Sequence, residues 1–409
     1  MSLEVTVTSL GARGDGVTED GLYVPFTLPG ERVLVDPVGD RARLIRVIEL
    51  SAERVAPCCK HFGECGGCAL QHASDELVQA WKTSLITDAL SARGIDDVPV
   101  RPMLTSPPGS RRRITATARR TKKSVQIGFH AGQSDRIVPV TECPVTRTEL
   151  IEILPSLEEL VMTGASRKGE IRLALTATSA GVDLSITDAK EMDGPGRALL
   201  AGAANRAGLA RLSWNDDVAV TRRSPSTTFG RARVGIPAGG FLQATEEGQT
   251  ALIAAVTEAV DGSAMVVDLY AGAGTFSLPL AASADIRAFE ADPVAVDALD
   301  RAWRVTEGMR SVVAQRRNLV RRPLLPAEFS GVDAVVIDPP RAGARAQFEH
   351  LATSGVRRIA SVSCNPATFA RDARILIDGG YSLDWIQPVD QFRWAAHVEL
   401  AAQFTRETG

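Results

Sequence analysis

Three short motifs that carry reactive side chains follow apolar runs in the C-terminal part of the chain. Cys364, in Ser-Cys-Asn-Pro, comes directly after the run at residues 359–362, and Asp338, in Asp-Pro-Pro-Arg, follows the run at 334–337. Such runs are typical of buried strands, and the ligands of doubly wound sheets bind beyond the carboxyl ends of the strands. A thiol displayed there can act as a nucleophile next to a bound cofactor.

The third motif, Asp-Leu-Tyr-Ala-Gly-Ala-Gly-Thr from Asp268, lies in a segment with the order of a mononucleotide-binding unit. A predicted strand at 264–267 leads into the glycine loop, a helix is expected from about Phe276, and the next strand ends at Glu290. Glycines let the backbone approach a ligand, and the terminal acid accepts hydrogen bonds from ribose hydroxyls. The loop fits S-adenosylmethionine better than it fits the NAD fingerprint.

Four cysteines are spaced to share one centre. Cys59, Cys65 and Cys68 lie in one short glycine-containing loop, and Cys143 lies far along the chain. Six cysteines in a protein predicted to be cytoplasmic are unlike a disulfide framework. Four thiolates suit either tetrahedral zinc or a [4Fe–4S] cluster, and the spacing leaves that choice open.

Composition places the chain among ordinary globular proteins. A length of 409 residues allows two or three domains, and the formal net charge is −3. No stretch approaches the roughly 20 apolar residues of a membrane span, and the N-terminus lacks signal-peptide features. Residues 101–136 nevertheless hold nine Lys or Arg against one acid. This segment can contact nucleic-acid phosphates or form a solvated face.

The remaining elements are predicted from periodicity. Residues 1–56 alternate like short strands, which indicates a small closed barrel of the OB type. Ser74 is expected to cap a helix near 74–93, with an apolar stripe of Leu77, Trp81, Leu85 and Ala89. Strand-like segments continue to about residue 240, and a helix is predicted over 246–260.

Taken together, these motifs resemble the RNA uracil-5-methyltransferases that make 5-methyluridine, in particular the branch with a TRAM domain and an iron–sulfur cluster. The resemblance spans nearly the whole chain, from the Leu-Pro-Gly-Glu turn at 28–31 through the cysteines to His-Val-Glu at 397–399. It implies an α/β class I, Rossmann-like methyltransferase domain at 241–409. It also implies a TRAM-like barrel at 1–57 and a mixed α+β central iron–sulfur and RNA-binding domain at 58–240. The helix near 74–93 is expected to pack on the catalytic domain.

The resemblance also assigns roles to residues. Cys364 is implied as the nucleophile and Glu399 as the base. The implied contacts to S-adenosylmethionine are Gln243, Tyr270, Gly272, Gly274, Thr275, Glu290 and Asp338. The implied ligands of a [4Fe–4S] cluster are Cys59, Cys65, Cys68 and Cys143. The chain departs from the family pattern at Thr245, Asn318 and Arg393–Trp394.

The activity expected from the resemblance is methylation of a uridine at C5 in RNA, through a covalent adduct of Cys364 at C6. 23S ribosomal RNA is the expected substrate, with the T-loop uridine of transfer RNA as the alternative. A non-catalytic RNA-binding factor on the same scaffold is the competing class, although it leaves Cys364 and Glu399 unexplained. An NAD-dependent oxidoreductase leaves the barrel and Cys364 unexplained. The protein is expected to be a cytoplasmic monomer without membrane contact.

Overall fold

The N-terminal part of the chain is a closed five-stranded barrel. The computed structural model describes residues 2–122, 124–166 and 169–407. The barrel consists of β1 (Leu3–Leu10), β2 (Gly16–Thr18), β3 (Tyr23–Val24), β4 (Arg32–Val38) and β5 (Arg41–Glu49). The strands close in the order β1-β2-β3-β5-β4, and valines such as Val5, Val7 and Val33 fill the interior. The predicted OB-like barrel is confirmed.

Helix α1 (Asp75–Ser91) follows the barrel, and the short strand β6 (Leu104–Thr105) comes after it. Ser74 caps α1 as predicted, since its side chain accepts a hydrogen bond from the Leu77 N–H at 3.1 Å. The predicted stripe is only partly the buried face, which consists of Val78, Trp81, Lys82, Ile86 and Leu90. The reason is that α1 contacts two cores, one beside the barrel and one in the C-terminal sheet.

A mixed sheet occupies the middle of the chain. Its elements are β7 (Arg113–Arg120), β8 (Val125–His130), β9 (Ile137–Pro139), α2 (Thr148–Glu152), a 3₁₀ turn (Leu154–Leu157), α3 (Glu158–Gly164), β10 (Glu170–Thr178), β11 (Gly181–Thr187), α4 (Gly194–Arg206), β12 (Arg211–Trp214) and β13 (Asp217–Thr221). The strands lie in the order β13-β12-β11-β10-β7-β8-β9, and only β11 and β12 run parallel. A hairpin of β14 (Ser226–Phe229) and β15 (Ala232–Gly235) follows. The predicted mixed α+β region is confirmed.

The C-terminal part is a doubly wound α/β unit. Its elements are α5 (Glu246–Ala259), β16 (Met265–Leu269), α6 (Ser277–Leu280), β17 (Asp285–Glu290), α7 (Pro293–Val305), β18 (Val312–Arg316), a 3₁₀ turn (Pro326–Phe329), β19 (Ala334–Ile337), α8 (Arg345–Ala352), β20 (Arg358–Ser363), α9 (Pro366–Asp378), β21 (Ser382–Asp390) and β22 (Glu399–Thr405). The sheet order is β18-β17-β16-β19-β20-β22-β21-β6, with β22 antiparallel to both neighbours. Numbered from β16, this is the 3-2-1-4-5-7-6 arrangement of the predicted class I fold. The helix expected from about Phe276 is a single turn, α6, because the chain reverses at 281–284 to enter β17.

Each face of this sheet carries its own apolar core, because alternate residues of a strand point to opposite faces. Val267 and Val335 lie in one core, and Val266 and Val336 in the other. Ile86 of α1 belongs to the first core, so the helix packs directly on the C-terminal sheet. No helix in the described ranges has the length and apolar character needed to cross a membrane.

A buried ion pair fixes α1 on this sheet. Lys82 is 0% exposed and Asp390, the last residue of β21, is 1% exposed. The Lys82 Nζ donates to Asp390 Oδ1 at 2.7 Å and to the Phe392 carbonyl oxygen at 3.0 Å. Burial lowers the pKa of Lys82, and the Asp390 carboxylate opposes that shift. The pair is therefore removed from water, and each side chain has a hydrogen-bonding partner.

Replacement of Lys82 should destabilise the protein strongly. Lys82→Met keeps much of the side-chain volume but leaves Asp390 buried without its cation. Breaking a buried pair in this way typically costs about 3–5 kcal/mol of unfolding free energy. Urea denaturation of Lys82→Met should show this loss, while Lys190→Met, at an exposed lysine, should change stability by less than about 0.5 kcal/mol. A small loss in Lys82→Met would contradict the role of the pair.

Candidate active site

Strands β20 and β22 bring Cys364 and Glu399 opposite each other. The strands are antiparallel, and Ser363 pairs with Leu400 at the end of β20. One further step of the same register places Cys364 across from Glu399, where Cβ atoms are typically about 5 Å apart. Burial raises the pKa of the half-buried Cys364 thiol, and the charge of Glu399 raises it further. The nucleophile and base implied by the sequence therefore face each other.

The pKa of Glu399 is well above the usual value for a carboxyl group. Its side chain is 5% exposed, and Oε2 has no hydrogen-bond partner among the described residues. Burial, followed by the nearby charge of Asp338, raises the pKa of Glu399 to about 8. A carboxyl group poised near neutral pH is suited to accept a proton during a reaction.

Two further carboxyl groups lie at the same end of the sheet. Asp268, in β16, is 0% exposed; Ser277 Oγ donates to its Oδ2 at 2.5 Å, and its Oδ1 is unpartnered within the described chain. Asp338 follows β19 and keeps part of its surface exposed. Burial raises the pKa of each to about 7. Incompletely compensated carboxyl groups fit a ligand with positive charge, and S-adenosylmethionine has a sulfonium and an ammonium group.

The glycine loop bends sharply after β16. Tyr270, Gly272 and Gly274 have φ values of 64°, 55° and 97°, in the left-handed region where glycine is favoured. A Cβ at Gly274 would lie 2.7 Å from Leu299 Cδ1, so the loop also needs glycine for close packing against α7. The half-buried Thr275 closes the loop before α6.

Glu290 ends β17 next to this loop. Its Oε2 accepts a hydrogen bond from the Gly272 N–H at 3.0 Å, and its Oε1 accepts from the Asp292 N–H at 2.9 Å. Glu290, Tyr270 and Asp338 lie at successive strand ends around the point where the sheet order reverses. This is the region where doubly wound folds bind nucleotides.

Gln243 approaches the site from the segment before α5. It is 2% exposed, and its Oε1 accepts a hydrogen bond from Gln391 Nε2 at 2.6 Å. The departure at Thr245 has a structural outcome, since its hydroxyl caps α5 by accepting from the Gly248 N–H at 2.9 Å. Asn318 likewise holds a turn, accepting from the Arg321 N–H.

The departure at Arg393–Trp394 connects the two halves of the protein. Arg393 forms an ion pair with Asp75 of α1 and lies 4.8 Å from the Trp394 ring centre. The Trp394 carbonyl oxygen accepts hydrogen bonds from the N–H groups of Ala69 and Leu70, at 2.8 and 3.1 Å. The loop before Glu399 is thus bonded to the end of the cysteine loop.

Hydrogen bonds also hold the cysteine loop against the segment that leads to Cys143. The Gly66 N–H donates to the His130 carbonyl oxygen at 2.9 Å, and a Cβ at Gly66 would lie 2.9 Å from that oxygen. The Lys60 N–H donates to Glu142 Oε1 at 3.1 Å, next to Cys143. The loop that carries three cysteines is thereby brought beside the fourth.

The fit of these cysteines to a cluster is partial. All four line one cavity. Burial raises the pKa of Cys68 to about 12; a hydrogen bond with Gln71 opposes this rise, and the charges of the neighbouring cysteines add to it. Yet the described residues contain no group of three His, Cys, Asp or Glu side chains arranged to hold a metal ion. The thiols share one compartment, but among the described residues their sulfurs are not gathered around a centre.

The cavity extends from the cysteine loop to Cys364. It has a volume of about 670 Å³, and its lining includes Cys68, Cys143, Cys364, Arg111 and Arg341. Arg341 favours the thiolate form of Cys364 electrostatically, although burial outweighs it. Neither guanidinium has a carboxylate partner in the described part of the chain. The cavity is therefore a cationic approach to the nucleophile.

The basic segment at 101–136 is not a continuous free face. Carboxylates pair with Arg101, Arg112, Arg119 and Arg136. Arg112 is 2% exposed and donates to the Gln243 carbonyl oxygen at 3.1 Å, so its role is internal. Lys123 lies outside the described residues. Arg111, by contrast, has no carboxylate partner among the described residues.

Sequence reasoning did not single out Arg341, Gln391 or the Lys82–Asp390 pair. Arg341 was visible in Asp-Pro-Pro-Arg, where its spacing from Asp338 was a usable signal. Gln391 and Lys82 carry no such signal, because their partners are 148 and 308 residues away in sequence.

Comparisons with known proteins agree with this fold. The sequence model of the tRNA (uracil-5-)-methyltransferase family matches residues 236–407. An RNA methyltransferase of Brucella suis biovar 1 (strain 1330) is 43% identical over 406 residues, which cover 98% of each chain. A 23S rRNA (uracil(1939)-C(5))-methyltransferase of Vibrio vulnificus (strain YJ016) is 28% identical, over 98% of this chain and 96% of the relative.

Among solved structures, the chain is similar to the Pyrococcus abyssi tRNA (uracil-54, C5)-methyltransferase in complex with S-adenosyl-L-homocysteine. The TM-score is 0.77 and the identity 25%, over 98% of this chain and 99% of that one. Fold and site together define an S-adenosylmethionine-dependent methyltransferase that acts on RNA. The chain belongs to the RNA uracil-5-methyltransferase family.

The raised pKa of Glu399 makes stability depend on pH. Because its pKa is about 8 in the folded protein and near 4.5 unfolded, its stabilising contribution is complete below about pH 4.5 and is lost as pH rises to about 8. Glu399→Gln stays neutral, so its unfolding free energy should fall less than that of the wild type between pH 5 and 8. The expected difference is on the order of 3 kcal/mol, measured by urea denaturation. Glu307→Gln, at an exposed residue, should follow the wild type. Equal pH dependence in wild type and Glu399→Gln would contradict the assigned pKa.

Proposed function

We propose that this enzyme methylates a uridine of 23S ribosomal RNA at C5 through a covalent adduct of Cys364 with C6 of the base. The observation that supports the proposal most is the register of β20 and β22, whose last pair is Ser363 with Leu400, so that one further step brings Cys364 opposite Glu399. Cys364 also lines the cationic cavity. The proposed contacts to the cofactor are Gln243, Tyr270, Gly272, Gly274, Thr275, Glu290 and Asp338. S-adenosylmethionine supplies an electrophilic methyl group when bound.

Cys364 solves the main chemical difficulty of the reaction. Uracil C5 is too weak a nucleophile to take a methyl group unaided. Addition of the Cys364 thiolate to C6 breaks the C5–C6 double bond and gives an enolate that is nucleophilic at C5. Arg341 and the start of α9 favour the thiolate, against the burial that disfavours it.

Glu399 completes the reaction. After methyl transfer, C5 carries both the new methyl group and its original proton. The ionised Glu399 carboxylate takes that proton, the electron pair restores the C5–C6 bond, and the Cys364 thiolate leaves. The absence of a hydrogen-bond partner for Glu399 Oε2 among the described residues leaves this oxygen available for the proton.

The RNA substrate must present its uracil outside the base stack, because Cys364 has to reach C6 of the base. Ribosomal RNA is supported by the likeness to the Vibrio vulnificus enzyme over 98% of the chain. The second candidate is a transfer RNA, supported by the likeness to the Pyrococcus abyssi enzyme. The N-terminal barrel is proposed to be a TRAM-like RNA-binding module, and the cytoplasm, where these RNAs are found, is the proposed location.

Cys59, Cys65, Cys68 and Cys143 are proposed to hold a [4Fe–4S] cluster. Their support is the shared cavity and the hydrogen bonds that bring the cysteine loop beside Cys143. Such a cluster would supply four iron–sulfur bonds that crosslink the loop to the central sheet. The methyl-transfer chemistry proposed above does not pass through it.

Loss of the thiol should abolish the reaction. Cys364→Ala incubated with labelled S-adenosylmethionine and separated ribosomal and transfer RNAs should transfer no methyl group, because C5 is not activated. Cys58→Ala removes a thiol outside the proposed chemistry and should retain full activity. Nucleoside mapping of the wild-type product should find 5-methyluridine in 23S ribosomal RNA. Turnover by Cys364→Ala would refute the mechanism, and product only in transfer RNA would reject the proposed substrate.

Protein prepared without oxygen should contain about four irons per chain and absorb visible light. Cys68→Ser should lose iron because a cluster ligand is missing, while Cys58→Ser should keep it. Metal analysis that found about one zinc per chain and no iron would contradict the cluster.

A further inference from the structure

Gln391 is a buried amide that links the end of β21 to the cofactor side of the site. It is 1% exposed and lies between Asp390, whose carboxylate binds Lys82, and Phe392. Its Nε2 donates to Gln243 Oε1 at 2.6 Å, and its Oε1 accepts from the Thr245 N–H at 3.4 Å. Both ends of the Gln391 amide are therefore engaged by the segment that precedes α5.

The orientation of this amide pair follows from a backbone donor. Because a backbone N–H can only donate, the Gln391 atom facing Thr245 must be the oxygen, and the other end must be the NH₂ group. That group can only donate, so the Gln243 atom it meets must be the oxygen. A Cβ at Gly248 would lie 3.0 Å from Gln391 Oε1, which places this oxygen at the start of α5, where N–H groups are exposed.

The consequence is that Gln243 presents its NH₂ group away from Gln391. No acceptor for Gln243 Nε2 is found in the described part of the chain. The backbone of Gln243 is held as well, since its carbonyl oxygen accepts from Arg112 Nε at 3.1 Å. The main chain and the side-chain oxygen of Gln243 are thus both held by hydrogen bonds, and its NH₂ group is left to donate to a ligand.

Thr245 does not compete for that ligand. Its hydroxyl caps α5 and lies 2.7 Å from Ser106 Oγ. Thr245 is 1% exposed, so it supports Gln391 through its N–H while its side chain is used within the protein.

We infer that Gln391 is a positioning residue for the methyl donor, which holds the Gln243 amide so that its NH₂ group faces a hydrogen-bond acceptor of S-adenosylmethionine. The inference rests on the proposed contact between Gln243 and the cofactor. Gln391 itself does not touch the cofactor; without it, the Gln243 side chain is free to turn its oxygen toward the acceptor.

The test is a double-mutant cycle that measures the Kd of S-adenosylhomocysteine by calorimetry. Gln391→Met keeps the volume of the side chain but removes both hydrogen bonds. The Kd of this variant should rise about tenfold, because the loss of one hydrogen bond to the ligand is an effect of this size. The Kd of Gln243→Met should rise by a similar factor. Because Gln391 acts through Gln243, the double variant should bind about as well as Gln243→Met alone, whereas independent packing effects would multiply.

In turnover assays, KM for S-adenosylmethionine should rise in Gln391→Met while KM for RNA stays unchanged. Gln315→Met, at an exposed strand position, is the control and should alter neither. Gln391→Glu is a second variant of the same shape whose carboxylate accepts but does not donate, and it should also weaken binding.

A Kd within twofold of the wild type in folded Gln391→Met or Gln391→Glu overturns the inference, as does a double variant whose effects multiply. An unchanged Kd in Gln243→Met has a different meaning, because it removes the proposed cofactor contact of Gln243. The two failures are therefore distinguishable.

Discussion

The buried ion pair between Lys82 and Asp390 is the constraint on which the arrangement of the site depends. It joins α1 to the carboxyl end of β21. The residues that follow Asp390 contact the cofactor side and the cysteine loop and then lead to Glu399. Gln391 contacts Gln243 on the cofactor side, and Trp394 binds the end of the cysteine loop. The same segment then enters β22 at Glu399. A desolvated pair tolerates little displacement, because separating its charges in the interior is costly.

Electrostatics gives the site its chemical character. Asp268, Asp338 and Glu399 all have raised pKa values because the protein removes water from them without supplying full compensation. Arg111 and Arg341 line the cavity that leads to Cys364. The carboxyl groups suit a cationic methyl donor, and the arginines suit an anionic RNA.

The sequence predicted the features that depend on local pattern. The OB-like barrel, the cap at Ser74 and the strands before Asp338 and Cys364 follow from periodicity and turn chemistry. The buried face of α1 was only partly predicted, because an apolar stripe does not show that a helix contacts two cores or that Lys82 is buried. The sequence left the role of the basic segment open, because pairing with distant acids such as Glu258 and Glu170 is a tertiary property. The role of Gln391 was not predicted, because its hydrogen-bonding partner Gln243 lies 148 residues away in sequence.

Trapping the covalent adduct tests the central claim most directly. RNA in which the target uridine is replaced by 5-fluorouridine would be incubated with wild-type enzyme and S-adenosylmethionine, then digested and analysed by mass spectrometry. Glu399 cannot remove fluorine from C5 as it removes a proton, so the methylated adduct should persist on the peptide that contains Cys364. Methylation of ordinary uridine by the same enzyme, without any adduct on Cys364 in the fluorinated RNA, would contradict the account.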